Sequence, residues 1–293
     1  MLRRISEVFL VFLCVGCARA GSSSEPAPPP ESGVADPVVA PNTTSGRSWI
    51  IVPATEPHTY RSTTTAIVEL LSDSGSIRDS LTRLTTFTLL TATASGSTSF
   101  LGSVDAVSTS SGTRIEAPGP LPAWPLTFTG HITNAIVVLD ALKDRSGNVA
   151  LDCSSTALAT LKAVHRSIIS LPAHLYQNLT WNDSTIFTGC SGTIPTTTIS
   201  VRVFRVLGEI PHTTGPAILL EEIGKVFSAG EGSQGQHRVV IRSEGTATAR
   251  VQVNRMSGAL LEWNGQEKTS ILVTASRSQR FTQTVREVTT VER

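Results

Sequence analysis

Apolar and polar residues alternate along much of the chain after Trp49, and this pattern predicts β-strands. Residues 247–253 alternate strictly between apolar and polar side chains, as in a strand with one buried face. Residues 199–206 alternate in a similar way, and residues 81–90 mix threonine with apolar residues. The fold is therefore predicted to be mainly β. We expect long antiparallel strands that form a curved sheet, a half-barrel or two β lobes.

One segment departs from this period of two. Residues 154–171 place apolar side chains at the spacing of an amphipathic helix, and Pro172 is expected to end it. The predicted helix lies between two β-rich halves, residues 48–150 and 176–293. A single helix among many strands is expected to lie across a sheet or to plug an open barrel.

Turn signals interrupt the pattern between residues 236 and 291. Ser257-Gly258 follows the predicted strand that ends near Met256, and Asn264-Gly265 follows the stretch 260–263. Asn-Gly is a strong signal for a hairpin turn, because both central residues of that turn need positive φ. These signals predict a meander of about four or five antiparallel strands.

The first 16 residues have the order of an export signal. Arg3 and Arg4 precede the apolar run 8–15, and Gly16 follows it. The run is shorter than the roughly 20 apolar residues that a membrane-spanning helix needs, so we expect cleavage. Residues 17–47 are rich in proline and serine and lack apolar periodicity, which indicates a flexible tether. The folded region is predicted to span residues 48–293.

The residues around the expected cleavage site suggest a lipid anchor. Leu13-Cys14-Val15-Gly16-Cys17 resembles the lipobox of bacterial lipoproteins, with Cys14 at a position where that class usually has leucine. The resemblance implies that Cys17 carries a diacylglyceryl group and becomes the first residue of the mature protein. Ala18 after the cysteine implies transport to the outer membrane. The alternative is an ordinary cleaved signal followed by an incidental Cys17.

Charge argues against a nucleic-acid partner. The chain has 24 basic and 23 acidic residues, and its formal net charge is +1. Cleavage after Gly16 removes two arginines and one glutamate, which leaves the mature chain neutral. Proteins that bind nucleic acid need a basic surface. The expected partners are instead the membrane, through Cys17, and a lipid or a protein.

Two cysteines remain after Cys14 and Cys17 are accounted for. Cys153 and Cys190 form an even pair in a chain that is expected to enter an oxidising compartment. We therefore predict a structural disulfide between them. Two free thiols are the alternative, and the mature chain has no C-x-x-C motif that would indicate redox activity.

Motifs for catalysis, metals and cofactors are weak. Residues 230–235 match G-x-G-x-x-G, but the strand-like residues 239–241 follow where a dinucleotide site needs a helix, so a hairpin loop is predicted. The six histidines show no metal-ligand spacing. We predict no metal and no cofactor.

Three functions remain open. The first is a non-enzymatic envelope lipoprotein that binds an apolar ligand or a protein partner on its curved sheet. Its ligand cavity would be lined by Phe87, Leu89, Val201, Val203, Val251 and Val253. The second is an envelope hydrolase whose site is dispersed in sequence, with His131, Asp140, His165 and His237 as candidates. The third is a purely structural or assembly role.

Overall fold

The structure is a computed structural model, and long β-strands dominate it. It describes residues 47–53, 56–72, 75–94, 97–111, 114–116, 125–140, 142–143, 145–147, 164–191, 194–234, 236–275 and 278–292. The strands in these residues are β1 (Ser48–Ile50), β2 (His58–Ser72), β3 (Gly75–Ala94), β4 (Ser97–Ser111), β5 (Arg114–Glu116), β6 (Leu126–Thr133), β7 (Ile136–Leu139), β8 (His174–Tyr176), β9 (Thr180–Ser191), β10 (Ile194–Ile210), β11 (Ala217–Gln234), β12 (His237–Asn254), β13 (Leu260–Thr274) and β14 (Ser278–Val291).

Eleven of these strands form one closed barrel. Their order around the barrel is β3-β2-β14-β13-β12-β11-β10-β9-β7-β6-β4, and β4 pairs with β3 to close it. The short strand β5 adds only to β4. The prediction of a mainly β fold with long antiparallel strands is confirmed. The half-barrel or curved sheet is instead a closed barrel, and both predicted halves contribute strands to it.

One pair of neighbouring barrel strands is parallel. β7 and β9 run in the same direction, whereas the other neighbours are antiparallel. Strand direction cannot alternate all the way around a closed sheet with an odd number of strands, so eleven strands require one such pair. The chain between β7 and β9 therefore returns to the end of the barrel at which β7 began. We call this the upper end; it also carries the β10–β11 and β12–β13 turns.

The core lies inside the barrel, because side chains alternate between its lumen and its outer surface. Along β10, Thr198, Ser200, Arg202, Phe204 and Val206 are buried, and the residues between them face outward. The main apolar cluster includes Phe87, Phe128, Phe187, Phe204, Val251, Val253 and Trp263. A smaller cluster of Ile194, Val239 and Ile241 lies towards the lower end.

Residues 164–172 of the β7–β9 connection run through the lumen and differ from the predicted helix; we call them the lumen segment. Only residues 164–167 form a helical turn, and residues 168–172 are not helical; residues 154–163 lie outside the described residues. Residues 164–168 are all buried, so this part of the segment has no polar face towards water. Wall side chains bond its backbone: Arg202 donates to the Ile168 carbonyl at 2.7 Å. These tertiary bonds replace the intrahelical bonds that a helix to Leu171 would need.

A small second sheet covers the upper end. β1 and β8 pair antiparallel, and the Ile51 amide continues the contact by donating to the Ala173 carbonyl at 2.9 Å. The Trp49 indole donates to Glu209 at the end of β10, at 3.1 Å. The side chain of Leu175, on β8, is fully buried in the main apolar cluster. The two strands therefore close the upper end of the core.

The turn signals near the C-terminus have different outcomes. Ser257-Gly258 lies in the β12–β13 turn as predicted, and Gly258 has a φ of 67°. Asn264-Gly265 is not a hairpin, because both residues lie inside β13 and pair with β12 and β14. Consequently residues 237–291 form three long strands and not a meander of four or five.

Aromatic rings cover two glycines inside the barrel. Phe100 on β4 lies opposite Gly130 on β6, and Gly102 lies opposite Phe128. A Cβ at Gly130 would come within 2.2 Å of Phe100 Cζ, and one at Gly102 within 2.2 Å of Phe128 Cζ. Each ring fills the space that is free because the opposite residue is glycine. This pairing helps fix the β4–β6 register.

Candidate binding surface

One side of the outer barrel surface is apolar. We call it the apolar face, and its residues come from four adjacent strands, β7 and β9–β11. They are Ile136, Val138, Ile186, Ile199, Val201, Val203, Ile223 and Phe227. The strand register makes them contiguous: Val138, Ile186, Ile199 and Phe227 form one row across the four strands. Val203 and Ile223 are also directly opposite each other.

The apolar face is open to solvent in this chain. Ile223 is 56% exposed, Phe227 44% and Val201 43%. Contiguous exposed apolar surface of this kind is typical of sites that contact another molecule. Lys225 lies within the face, opposite Val201, and forms no ion pair with any of the described residues. The face thus combines apolar side chains with one available cation.

The adjoining outer surface is polar and forms a groove of about 630 Å³. Two neighbouring rows of side chains line it, one from each of the strands β11, β12, β13, β14 and β2. The first row is Glu221, Arg250, Asn264, Val288 and Thr63; the second row is Ile223, Thr248, Gln266, Arg286 and Thr65. We call this feature the outer groove. It runs across the strands and is centred on β13.

Backbone forms the floor of the outer groove where β13 crosses it. Gly265 lies between the two rows, and a Cβ there would meet the Trp263 ring at 2.5 Å and the Thr248 carbonyl oxygen at 2.7 Å. Trp263 lies beneath this floor and donates its indole N–H to Glu222 at 2.8 Å. Glycine therefore lets the groove floor lie directly on the core.

Charges in the outer groove are only partly paired. Glu221 accepts a hydrogen bond from Arg205 at 2.6 Å and lies 3.5 Å from Arg250. Arg286 donates to the neutral side-chain amide of Gln266 at 3.3 Å. One carboxylate thus serves two arginines, while Arg286 has a neutral partner. The outward-facing charged side chains of the groove are therefore two arginines and one glutamate. The side chains of Glu222 and Glu287, which also line the groove, are buried and bond Trp263 and Arg166.

Ion pairs fill the middle of the lumen. Arg166, on the helical turn, bonds Glu267 on β13 at 2.6 Å and also bonds Glu287 on β14. Thr64 and Thr289 donate to the same Glu287 carboxylate. Although burial disfavours its charge, the two carboxylates raise the pKa of Arg166. This arginine fastens the lumen segment to one side of the wall.

A second arginine, which belongs to the barrel wall, bonds the backbone of the lumen segment. Arg202 on β10 donates to both oxygens of Asp183 on β9 at 2.7 Å, and to the carbonyl oxygen of Ile168. Asp183 in turn accepts from the Ser170 amide at 3.0 Å. Burial raises the pKa of nearby Glu222, an effect that Arg202 and the Trp263 hydrogen bond oppose. The centre of the lumen is consequently occupied by protein groups.

The residues predicted to line a ligand cavity separate into two groups. Phe87, Leu89, Val251 and Val253 are buried in the main apolar cluster. The inward orientation expected of Val201 and Val203 is wrong, since both are exposed on the apolar face. Their neighbours Ser200, Arg202 and Phe204 occupy the lumen instead, because Arg202 finds its partners there. Ligand binding in the lumen stays a prediction.

The candidates for a dispersed hydrolase site lie in different environments. His131 and Asp140 are exposed on the outer surface, where Asp140 accepts from Thr129 at 3.0 Å. His165 is buried in the lumen and stacks on Phe187. His237 is exposed at the start of β12. The structure does not bring the four residues together in one pocket.

Other predicted sites fall partly or wholly beyond the described chain. Cys17, residues 17–46 of the predicted tether and Cys153 lie outside the described residues. Cys190 lies on β9. Across the described ranges, no group of three His, Cys, Asp or Glu side chains could hold a metal ion. None of the helical residues described makes a helix long and apolar enough to cross a membrane. The Cys153–Cys190 disulfide stays a prediction.

The functional residues that sequence reasoning missed are polar groups in unexpected places. Arg166, Arg202 and Glu222 carry the lumen network, and Gln266 and Arg286 line the outer groove. The one sequence signal was polar Ser200 and Arg202 alternating with the apolar residues of β10. That alternation defines two faces but does not say which face is inward.

Comparisons with known proteins identify no family for this chain. No family model matches it, and no curated protein does. Several solved structures match, among them Pseudomonas aeruginosa OccK8 (OprE), at 9% identity over 84% of this chain and 100% of the other, with a TM-score of 0.20. Pseudomonas aeruginosa OccK2 (OpdF) matches at 9% identity over 84% and 100%, with a TM-score of 0.22. The β domain of the Bordetella autotransporter BrkA matches at 8% identity over 80% and 98%, with a TM-score of 0.19. Likeness at these TM-scores carries no argument about this chain.

Proposed function

We propose that this protein is a non-enzymatic, exported β-barrel lipoprotein that lies on an envelope membrane through its apolar face. The observation that carries the proposal is the contiguous, solvent-exposed row of apolar side chains on β7 and β9–β11. In this arrangement the apolar ligand is the lipid surface itself, and it binds outside the barrel. The lipid attached to Cys17 holds the barrel near that surface.

The apolar face can supply useful binding energy. Complete burial of a Val, Ile or Phe side chain contributes roughly 1.5–3 kcal/mol, so burying the exposed half of each contributes about 1 kcal/mol. Several such side chains together contribute a few kcal/mol. The diacylglyceryl group expected on Cys17 carries two acyl chains, and two chains already anchor a protein stably. The face would add a second point of contact and set the orientation of the barrel on the membrane.

Charge favours a lipid surface with anionic headgroups. Lys225 lies inside the apolar face without an ion-pair partner in the described chain, whereas Arg205 at the upper side of the face is paired with Glu221. Each basic residue near an anionic membrane surface contributes about 1 kcal/mol. A second copy of this chain is a poorer partner, because two-fold symmetry would bring two Lys225 ammonium groups close together.

The outer surface of β12–β14 is suited to water. Arg242 and Glu244 on β12, Lys268 on β13 and Arg286 on β14 all face outward and are exposed. In a membrane-spanning barrel each lipid-facing Arg or Lys near the midplane costs about 2–4 kcal/mol. We therefore place the barrel on the membrane surface, with β12–β14 turned away from the lipid.

The tether allows this placement. Residues 17–47 are rich in proline, and an extended proline-rich chain spans about 3.1 Å per residue. A chain of this length reaches farther than the barrel is wide, so Cys17 can be inserted in the membrane while the apolar face lies flat.

Vesicle binding tests the proposal. The mature chain with Cys17→Ser, which cannot be acylated, is mixed with vesicles of phosphatidylethanolamine, with or without phosphatidylglycerol, and sedimented. We expect binding that is stronger with phosphatidylglycerol. Val201→Asp should lower the affinity at least about tenfold, because a charge is then carried into the lipid interface. Lys225→Gln should remove only the preference for phosphatidylglycerol.

A matched control is Thr282→Asp, which adds the same charge to the outer surface of β14, outside the apolar face. The vesicle binding of Thr282→Asp should equal that of the parent chain. All variants should have the melting temperature of the parent chain. Absence of vesicle binding by the parent, or equal loss in Val201→Asp and Thr282→Asp, would overturn membrane docking. The exposed apolar face would then be assigned to contact with a protein partner.

A further inference from the structure

We infer that the outer groove is a binding site for a linear acidic polysaccharide; the groove adjoins the apolar face and shares Ile223 with it. The groove crosses five strands, and neighbouring strands are about 4.8 Å apart, so its length is about 19 Å. Each strand contributes one side chain to each of the two rows. A ligand lying in the groove would therefore meet a new pair of side chains at every strand.

The side chains in the groove can bond hydroxyl groups. Thr63, Thr248 and Asn264 have no side-chain hydrogen-bond partner in the part of the chain that the structure describes. Each of them can both donate and accept, as a sugar hydroxyl does. Ile223 and Val288 lie among them and can contact the apolar C–H face of a sugar ring.

The spacing of these groups suits a sugar chain better than a peptide. The repeat of an extended pyranose chain is close to the distance between neighbouring strands, so successive sugars would meet equivalent pairs of side chains. A peptide that lies across the strands has a rise of about 3.4 Å per residue and does not match that spacing. Addition of a peptide strand is also unavailable here, because β11–β14 and β2 are paired on both sides.

Charge selects an acidic sugar. Arg286 bonds only the neutral Gln266 in the groove, whereas Arg250 shares Glu221 with Arg205. A ligand carboxylate could accept a charge-assisted hydrogen bond from Arg286, and such bonds are about twice as strong as neutral ones. Single-stranded nucleic acid is a poorer fit, since the groove lining includes no aromatic side chain on which bases could stack.

Calorimetric titration with defined sugars tests the inference. The mature chain with Cys17→Ser is titrated with tetragalacturonic acid and, separately, with neutral cellotetraose. We expect binding of the acidic oligomer, with affinity that falls as salt is raised, and much weaker binding of the neutral one. Arg286→Gln should lower the affinity for tetragalacturonic acid about tenfold. Thr248→Ala with Asn264→Ala should lower it further.

The matched control is Arg280→Gln, which removes the same charge from the exposed outer surface of β14 beyond the groove. It should leave the affinity for tetragalacturonic acid unchanged. Absence of binding, equal binding of both sugars, or equal effects of Arg286→Gln and Arg280→Gln would each overturn the inference. Val201→Asp should not alter sugar binding and Arg286→Gln should not abolish vesicle binding, so the two sites can fail independently.

Discussion

Glu222 is a carboxylic acid enclosed by the barrel wall and the lumen segment. Its side chain accepts a hydrogen bond from Trp263, and burial raises its pKa above the ordinary value of 4.5. The folded state therefore retains a proton on this group at pH values where the unfolded chain has lost it. The resulting stabilisation is complete below about pH 4.5 and is lost as pH rises through the folded-state pKa.

Glu222→Gln should remove this pH dependence. Glutamine keeps an oxygen that can accept from Trp263, but it does not ionise. We expect the free energy of unfolding of Glu222→Gln, relative to the parent, to increase between about pH 5 and about pH 8. Urea denaturation at both pH values measures it. Glu244→Gln, on the exposed outer surface of β12, is the control, and parallel profiles for all three proteins would contradict the assignment.

Gly130 should not tolerate a side chain. Alanine there would bring Cβ within 2.3 Å of the Val138 carbonyl oxygen as well as against the Phe100 ring, so the β6 backbone would have to move. We expect Gly130→Ala to lower the free energy of unfolding by about 1–3 kcal/mol. In contrast, a Cβ at Gly224 has its nearest contact at 3.3 Å, so Gly224→Ala should change stability much less. Equal denaturation midpoints for the two variants would refute the packing argument.

At the scale of elements, the lumen segment and the barrel wall depend on each other. Arg166 extends from the segment to Glu267 and Glu287, while Arg202 extends from the wall to the segment's backbone. Loss of one partner from a buried ion pair leaves the remaining charge in a medium of low polarity, and this typically costs about 3–5 kcal/mol. The segment is therefore expected to unfold together with the barrel.

Arg166→Met should destabilise the protein by about 3–5 kcal/mol, because Glu267 and Glu287 then lose the buried guanidinium that both of them bond. The triple variant Arg166→Met, Glu267→Gln and Glu287→Gln should recover part of this loss, since both buried carboxylate charges are removed. The recovery should be incomplete, because Arg83 also interacts electrostatically with Glu287. Guanidinium denaturation of the single and triple variants measures both values. A triple variant that is less stable than the single one would show that the ion pairs themselves stabilise the barrel.

The strands could be predicted from the sequence. Which side chains of a strand face the lumen could be predicted only in part. Val251 and Val253 are buried in the lumen, and their neighbours Arg250 and Gln252 bond Glu221 and Glu262 on the other side of the wall. Val201 and Val203 follow the same alternation and face outward, since Arg202 reaches Asp183 and the lumen segment. Those partners lie on other elements, so no local pattern reveals them. Asn264-Gly265 failed as a turn signal for a similar reason, since pairing on both sides keeps it extended.

At the scale of the whole molecule, the lipid anchor is a prediction that mass measurement can test. Protein purified from its native membrane should begin at Cys17 and carry the added mass of its acyl groups. Cys17→Ser should block that addition and weaken the retention of the barrel in membrane fractions, while contact through the apolar face keeps part of it bound. An unmodified mass with cleavage elsewhere would contradict the lipoprotein assignment and, with it, the role of residues 17–47 as a tether.

The predicted disulfide has a separate test. Intact mass with and without alkylation under non-reducing conditions counts free thiols, and we expect Cys153 and Cys190 to be protected until reductant is added. In the chain-entropy description such a bridge contributes about 3–4 kcal/mol, so reduction should lower the denaturation midpoint. Two thiols that react without reductant would exclude the bridge.

Closure of the barrel between β2 and β14 has a consequence for the order of folding. Leu70 pairs with Phe281, and Tyr60 with Val291, so the seam joins segments far apart in sequence. A chain that emerges from a ribosome or a translocation channel in the usual direction exposes β2 long before β14 is available. Until then β2 and β13 each present an unpaired edge, which is a template for association with other chains. Assembly of this fold should therefore be slow and dependent on its final strand, and an envelope chaperone that covers open edges would be most needed in that interval.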